Sequence, residues 1–92
     1  MKTIKRVEVK PIFVEFIPEI LEQNCIYITE KYKTASHNCL CGCGERTVTP
    51  LNNEDWTLIK NGDKISLTPS IGNFSFPCRS HYVITNSIAH FI

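Results

Sequence analysis

Three thiols fall within five residues, Cys39-Leu40-Cys41-Gly42-Cys43, and a fourth follows far downstream in Cys78-Arg79-Ser80-His81. Thiols this close in sequence make a poor disulfide framework, but they can fold around one metal ion. Gly42 and Gly44 supply the left-handed backbone that lets a short turn aim several sulfurs at one point. Cys78 then completes a tetrahedral set from a distant segment. Thiolate-rich, four-coordinate sites favour zinc or iron–sulfur, and zinc suits this set best. A redox-active thiol cluster is the competing reading. If only two of the clustered thiols bind, His81 or His37 can take the vacated place as a neutral imidazole.

Four thiolates saturate zinc and leave no position for water. Catalytic zinc usually keeps three protein ligands, with more imidazole or carboxylate among them. The expected metal is therefore structural, and its work is to hold the Cys39–Cys43 turn against the Cys78 segment. That places serines and histidines near one another. A serine hydroxyl becomes a nucleophile when a histidine can take its proton. Ser80 and His81 are sequence neighbours and would point to opposite faces of a regular strand. A pair across segments is easier: Ser80 with His37, or Ser70 with His81. Spacing alone does not choose between them. The plainer reading is that these side chains satisfy backbone groups or sulfurs. Arg79 is placed to neutralise thiolate charge or to bind a substrate carboxylate.

Ninety-two residues read as a single zinc-binding β domain over 1–92, small enough to need a staple such as a metal. The net charge of +1 offers no general attraction to nucleic acid or to acidic membranes. No apolar run reaches the length of a membrane span, and no leader pattern opens the chain. These features point to the cytoplasm, where clustered thiols read as metal ligands before disulfides. Phosphate-binding glycine loops, paired carboxylates and His-Glu-x-x-His are absent.

The elements that must position these residues are mainly β: a zinc-ribbon-like antiparallel sheet with two hairpins. Strands are expected over 4–9, 12–17 and 25–29, with Pro11 between the first two and one helical turn at 18–22. Cys25 is a small buried hydrophobe within its strand. Residues 35–38 lead into the cysteine turn; 46–49 lead out of it, and Pro50 ends them. Asn61-Gly62 predicts a two-residue hairpin turn. That turn pairs Lys60 with Asp63, Leu58 with Ile65 and Trp56 with Leu67, all the apolar members on one face. A second hairpin joins 81–85 to 88–91 through Asn86-Ser87, with Tyr82 and Phe91 as a cross-strand pair. Thr68–Phe74 reads as a loop, and His90 as an ordinary half-exposed histidine.

The segment Ala35 to Gly44, Trp56, the run Ser66 to Asn73, and Cys78-Arg79-Ser80-His81-Tyr82 together resemble a small bacterial family. Its members look like companions of ubiquitin-like conjugation genes, and the likeness spans roughly residues 35–92. It implies a metal-bound β domain that acts as a serine-type, deubiquitinase-like peptidase on a ubiquitin-like protein. Carried over, the metal positions are Cys39, Cys41, Cys43 and Cys78. The serine and histidine positions are Ser70, Ser80, His81 and His37, with Ser80 ranked before Ser70 as nucleophile. The modifier's C-terminal tail is expected to lie along a sheet edge. A metallopeptidase is the second enzymatic choice. A non-catalytic zinc adaptor for the modifier or its conjugation enzymes is the alternative outside catalysis. Val83 stands where many relatives carry an aromatic, a departure that touches packing.

Overall fold

The computed structural model describes residues 6–52 and 54–92, so Ile4 and Lys5 of the first expected strand lie outside them. Nine strands follow in order: β1 (Arg6–Glu8), β2 (Lys10–Phe13), β3 (Cys25–Thr29), β4 (Thr34–Asn38), β5 (Arg46–Pro50), β6 (Thr57–Asn61), β7 (Lys64–Gly72), β8 (His81–Thr85) and β9 (Ile88–Phe91). They form two sheets, ordered β1-β9-β8-β7-β6 and β2-β3-β4-β5. There is no helix among the described residues; the expected turn at 18–22 is an irregular bend instead. Pro11 sits inside β2, on a sheet edge where its missing N–H costs no ladder bond.

The mainly β reading is right, and the architecture is richer than one antiparallel sheet. β2 runs parallel to β3. A parallel pair needs a crossover, and residues 14–24 supply it while covering the outer face of the second sheet. β3 is buried along its whole length because alternate residues serve different clusters. Ile26 and Ile28 face the main core with Ile65, Leu67, Ile71, Tyr82 and Ile84 from the other sheet. Cys25 and Tyr27 join Leu21 under the crossover.

Both hairpins form. In the β8–β9 pair Thr85 meets Ile88 and Tyr82 meets Phe91, as expected. Asn86 (φ 49) and Ser87 (φ 61) both adopt left-handed backbone, as a type I′ turn demands. Ser87 is held there by donating its N–H to the Ile65 carbonyl (2.7 Å) and accepting the Ile65 N–H on its hydroxyl (3.0 Å).

The β6–β7 register differs from the expectation. Asn61 pairs with Lys64, Lys60 with Ile65 and Leu58 with Leu67. The turn is Gly62-Asp63, and Gly62 alone takes positive φ, at +64°, which places glycine at the first central position, as type II′ turns favour. The apolar face is unchanged because the pairing shifts by two residues, Leu58 meeting Leu67 in place of Ile65.

The largest departure lies in 68–74, read as a loop. β7 continues through it to Gly72. Leu67 pairs with Ile84 and Ile71 with Tyr82, so Thr68, Pro69 and Ser70 stand opposite Val83 alone. This is a β-bulge, a device that re-aims side chains.

Candidate functional site

The β4–β5 hairpin carries the cysteine turn. Cys39 donates its N–H to the Glu45 carbonyl (2.7 Å), and Gly42 donates to the Cys39 carbonyl (3.0 Å). Gly42 (φ 92) and Gly44 (φ 85) take the left-handed turns that the thiols require. The four sulfurs of Cys39, Cys41, Cys43 and Cys78 lie within 4.8 Å of one another. Cys39 Sγ is 3.4 Å from Cys41 Sγ and 3.7 Å from Cys78 Sγ. A tetrathiolate cage with metal–sulfur bonds of about 2.3 Å has sulfur–sulfur edges of about 3.8 Å. The donor set therefore fits a tetrahedral metal ion. All five cysteines are free thiols. Neither histidine offered as a substitute ligand belongs to the cluster.

Ser80 and Asn73 serve the sulfurs. Ser80 is buried, with its hydroxyl 3.0 Å from Cys39 Sγ and 3.4 Å from Cys78 Sγ. Turned to donate, that hydroxyl holds the Cys78 thiol down at about 6, which favours the thiolate. Asn73 Nδ2 shares its two protons among Cys39 Sγ (3.4 Å), Ser80 Oγ (3.3 Å) and the Tyr82 hydroxyl (3.1 Å). Its Oδ1 accepts from Thr47 Oγ1 (3.2 Å), across to the other sheet. Asn73 was hidden in the expected loop, and no local signal marks it.

His37 is fully buried, with Nε2 2.7 Å from the Tyr82 hydroxyl. Asn73 donates to that same hydroxyl, so His37, Tyr82 and Asn73 form one buried chain. His37 Nδ1 has no partner. Burial lowers the His37 pKa to about 4 and raises that of the Tyr82 phenol. His37 is thus a neutral core imidazole that contacts no serine hydroxyl. The pairing of Ser80 with His37 does not occur: the two are joined only through Asn73 and Tyr82.

The pairing that does occur is Ser70 with His81. Ser70 Oγ lies 2.7 Å from His81 Nε2, and both residues are half-buried. The bulge puts Ser70 beside Val83, and His81 is two residues from Val83 on the same outward face of the sheet. They are diagonal cross-strand neighbours, within reach of a long side chain. The His81 carbonyl accepts the Ile92 N–H (2.9 Å), which fixes the start of β8. Directly opposite His81 stands Gly72. The space left by its missing side chain is taken by the Phe74 ring, whose Cε2 would lie 2.4 Å from a Cβ at Gly72. That ring meets His81 edge-on, at 5.2 Å between centroids and 63° between planes. Among the described residues no carboxylate bonds to His81; the imidazole is oriented by Ser70 and by an aromatic wall.

Two features therefore adjoin through the Cys78–His81 segment. Ser80 faces the sulfurs, and His81 faces outward to Ser70. Arg79 between them is exposed, in left-handed backbone at φ 48. No helix of the described residues is long and apolar enough to cross a membrane.

Residues 13–92 match the model of one protein family, described as bacterial ubiquitination-like system serine protease (BubE). No curated protein and no solved structure matches the chain significantly.

Proposed function

Because the chain belongs to the family of serine proteases of bacterial ubiquitination-like systems, we propose that it is a deubiquitinase-like peptidase with Ser70 as nucleophile and His81 as base. It trims the precursor of a ubiquitin-like protein or releases that protein from its targets. The observation that carries this reading is the 2.7 Å contact between Ser70 Oγ and His81 Nε2 on an accessible face. Ser80, the serine ranked first from the sequence, has its hydroxyl turned toward sulfur instead.

The chemistry follows from that contact. Ser70 Oγ attacks the scissile carbonyl carbon while its proton passes to His81 Nε2. The carbon–nitrogen bond then breaks, and His81 returns the proton to the departing amine. Water, deprotonated by the same imidazole, hydrolyses the acyl-serine and restores both groups. For His81 to accept at Nε2 its own proton must sit on Nδ1.

Zinc is the metal proposed for Cys39, Cys41, Cys43 and Cys78. Bound there, it supplies a cross-link between the cysteine turn and the Cys78 segment, and so fixes where β8 begins. Four thiolates leave it no open position, which separates this reading from a metallopeptidase. A cytoplasmic site of action accords with unoxidised thiols.

The test is to mix the purified protein with the ubiquitin-like precursor of its own conjugation system and follow cleavage by intact mass. Cleavage is expected from wild type and from Ser80→Ala, though the latter should hold its metal less tightly. Ser70→Ala should lose several orders of magnitude in turnover while keeping its metal. If Ser70→Ala cleaves normally, the assignment is wrong. If wild type binds the modifier but never cleaves it, the adaptor reading replaces it.

A further inference from the structure

We infer that the open edge of β7 over Pro69–Gly72 is where the substrate docks, as an added strand of extended peptide. This rests on the proposed function and names the edge that it uses. β6 pairs with β7 only from Asn61↔Lys64 to Thr57↔Thr68. β7 runs on to Gly72, and its other neighbour, β8, lies on the opposite side. Among the described residues no strand pairs with Pro69–Gly72 on the β6 side. Thr68, Pro69 and Gly72 are all exposed there.

A strand edge with unpaired main-chain groups is a template for another extended chain. Such a chain would continue the line of β6 at the usual spacing of about 4.8 Å from β7. The placement suits the reaction. Ser70 lies within the open segment. His81 flanks it on the β8 side, at 2.7 Å, and the docked peptide would flank it on the other. Base, nucleophile and carbonyl then stand in the order that attack requires. Recognition through main-chain bonds selects an extended, unstructured segment, such as a flexible chain terminus, and rejects a folded strand or helix. The bulge thus has two consequences: it swings Ser70 toward His81, and it lies just where β6 stops covering the edge.

The other sheet edges are less suited, and β2 is the edge farthest from β5 and the cysteine turn. β5 borders the cysteine turn, but no Ser–His pair accompanies it. β1 lies at the far side of its sheet from β6.

The test is amide hydrogen exchange on Ser70→Ala, with and without a saturating amount of the full-length ubiquitin-like precursor. Wild-type cleavage of the same precursor is run alongside. The expected result is exchange slowed about tenfold or more at Ser70–Gly72, with the amides of β1 and β5 unchanged. Cleavage by wild type with no change at Ser70–Gly72, or with protection at β5 instead, overturns this inference and leaves the proposed function standing. Absence of both cleavage and binding overturns the proposed function, and this inference with it.

Discussion

Gly72 is the residue at which a single added carbon should separate folding from catalysis. Its φ is not in the left-handed region, so alanine is allowed by the backbone. A Cβ there would lie 2.4, 3.0 and 3.1 Å from three atoms of the Phe74 ring, well inside van der Waals contact. Phe74 is 56% exposed, so the ring can swing into solvent without disturbing the core. What is lost is the edge-on contact that holds the His81 imidazole against Ser70. Aromatic pairs of this geometry contribute about 0.5–1.5 kcal/mol beyond simple burial. Loss of that orientation should lower kcat/KM by about 2- to 12-fold, and the same lost contact should lower Tm by about 2–12 °C, leaving the protein folded in the assay. Phe74→Ala should do the same for the same reason. The two changes act through one contact, so the double variant should be no worse than Phe74→Ala alone. The assay is cleavage kinetics on the four proteins of that cycle, with Tm measured on each. If Gly72→Ala costs as much in the Phe74→Ala background as in wild type, the ring does not mediate the effect and the argument fails.

Cys78→Ala should remove one of four sulfurs and the link between the two metal-bearing segments. Metal content should fall, and stability should drop by several kcal/mol, read by metal analysis and chemical denaturation. Tyr82→Phe leaves His37 Nε2 and part of Asn73 Nδ2 without partners in a buried setting. It should cost about 1–3 kcal/mol, seen as a fall in Tm. His37 has its pKa lowered by burial from 6.5 to about 4. A histidine held neutral in this way contributes its full stability above pH 6.5 or so, the unfolded value, and loses it as pH falls toward 4. The total is about 3 kcal/mol. NMR titration of metal-loaded protein should find the ring neutral at pH 5, and a midpoint near 6.5 would refute its burial.

The cysteine cluster was legible because clustered thiols have few uses and glycine marks their turn. The C-terminal hairpin was legible in full, since Asn86 and Ser87 both accept left-handed backbone and the alternation on each side agrees. The β6–β7 pair was legible only as to face. Centring the turn on Asn61-Gly62 or on Gly62-Asp63 buries the same side chains, and only the backbone at Gly62 distinguishes them. The parallel β2–β3 pair joins segments with no local pattern linking them. The 68–74 stretch misled most. Its Pro, Ser, Gly and Asn read as loop, yet pairing with β8 draws it into a strand with a bulge. Both the Ser70–His81 contact and the Asn73 network depend on that strand, so the choice of Ser70 over Ser80 could not be made from spacing.

The central claim is that Ser70, not Ser80 or a thiol, is the nucleophile. It is tested most directly by giving the metal-loaded protein its ubiquitin-like protein with a serine-reactive phosphonate at the C-terminus, then mapping the adduct by peptide mass. The account predicts one covalent adduct per chain, on Ser70, abolished by His81→Ala and unaffected by Ser80→Ala. An adduct on Ser80 or on the exposed Cys43, or labelling that survives Ser70→Ala, would contradict it.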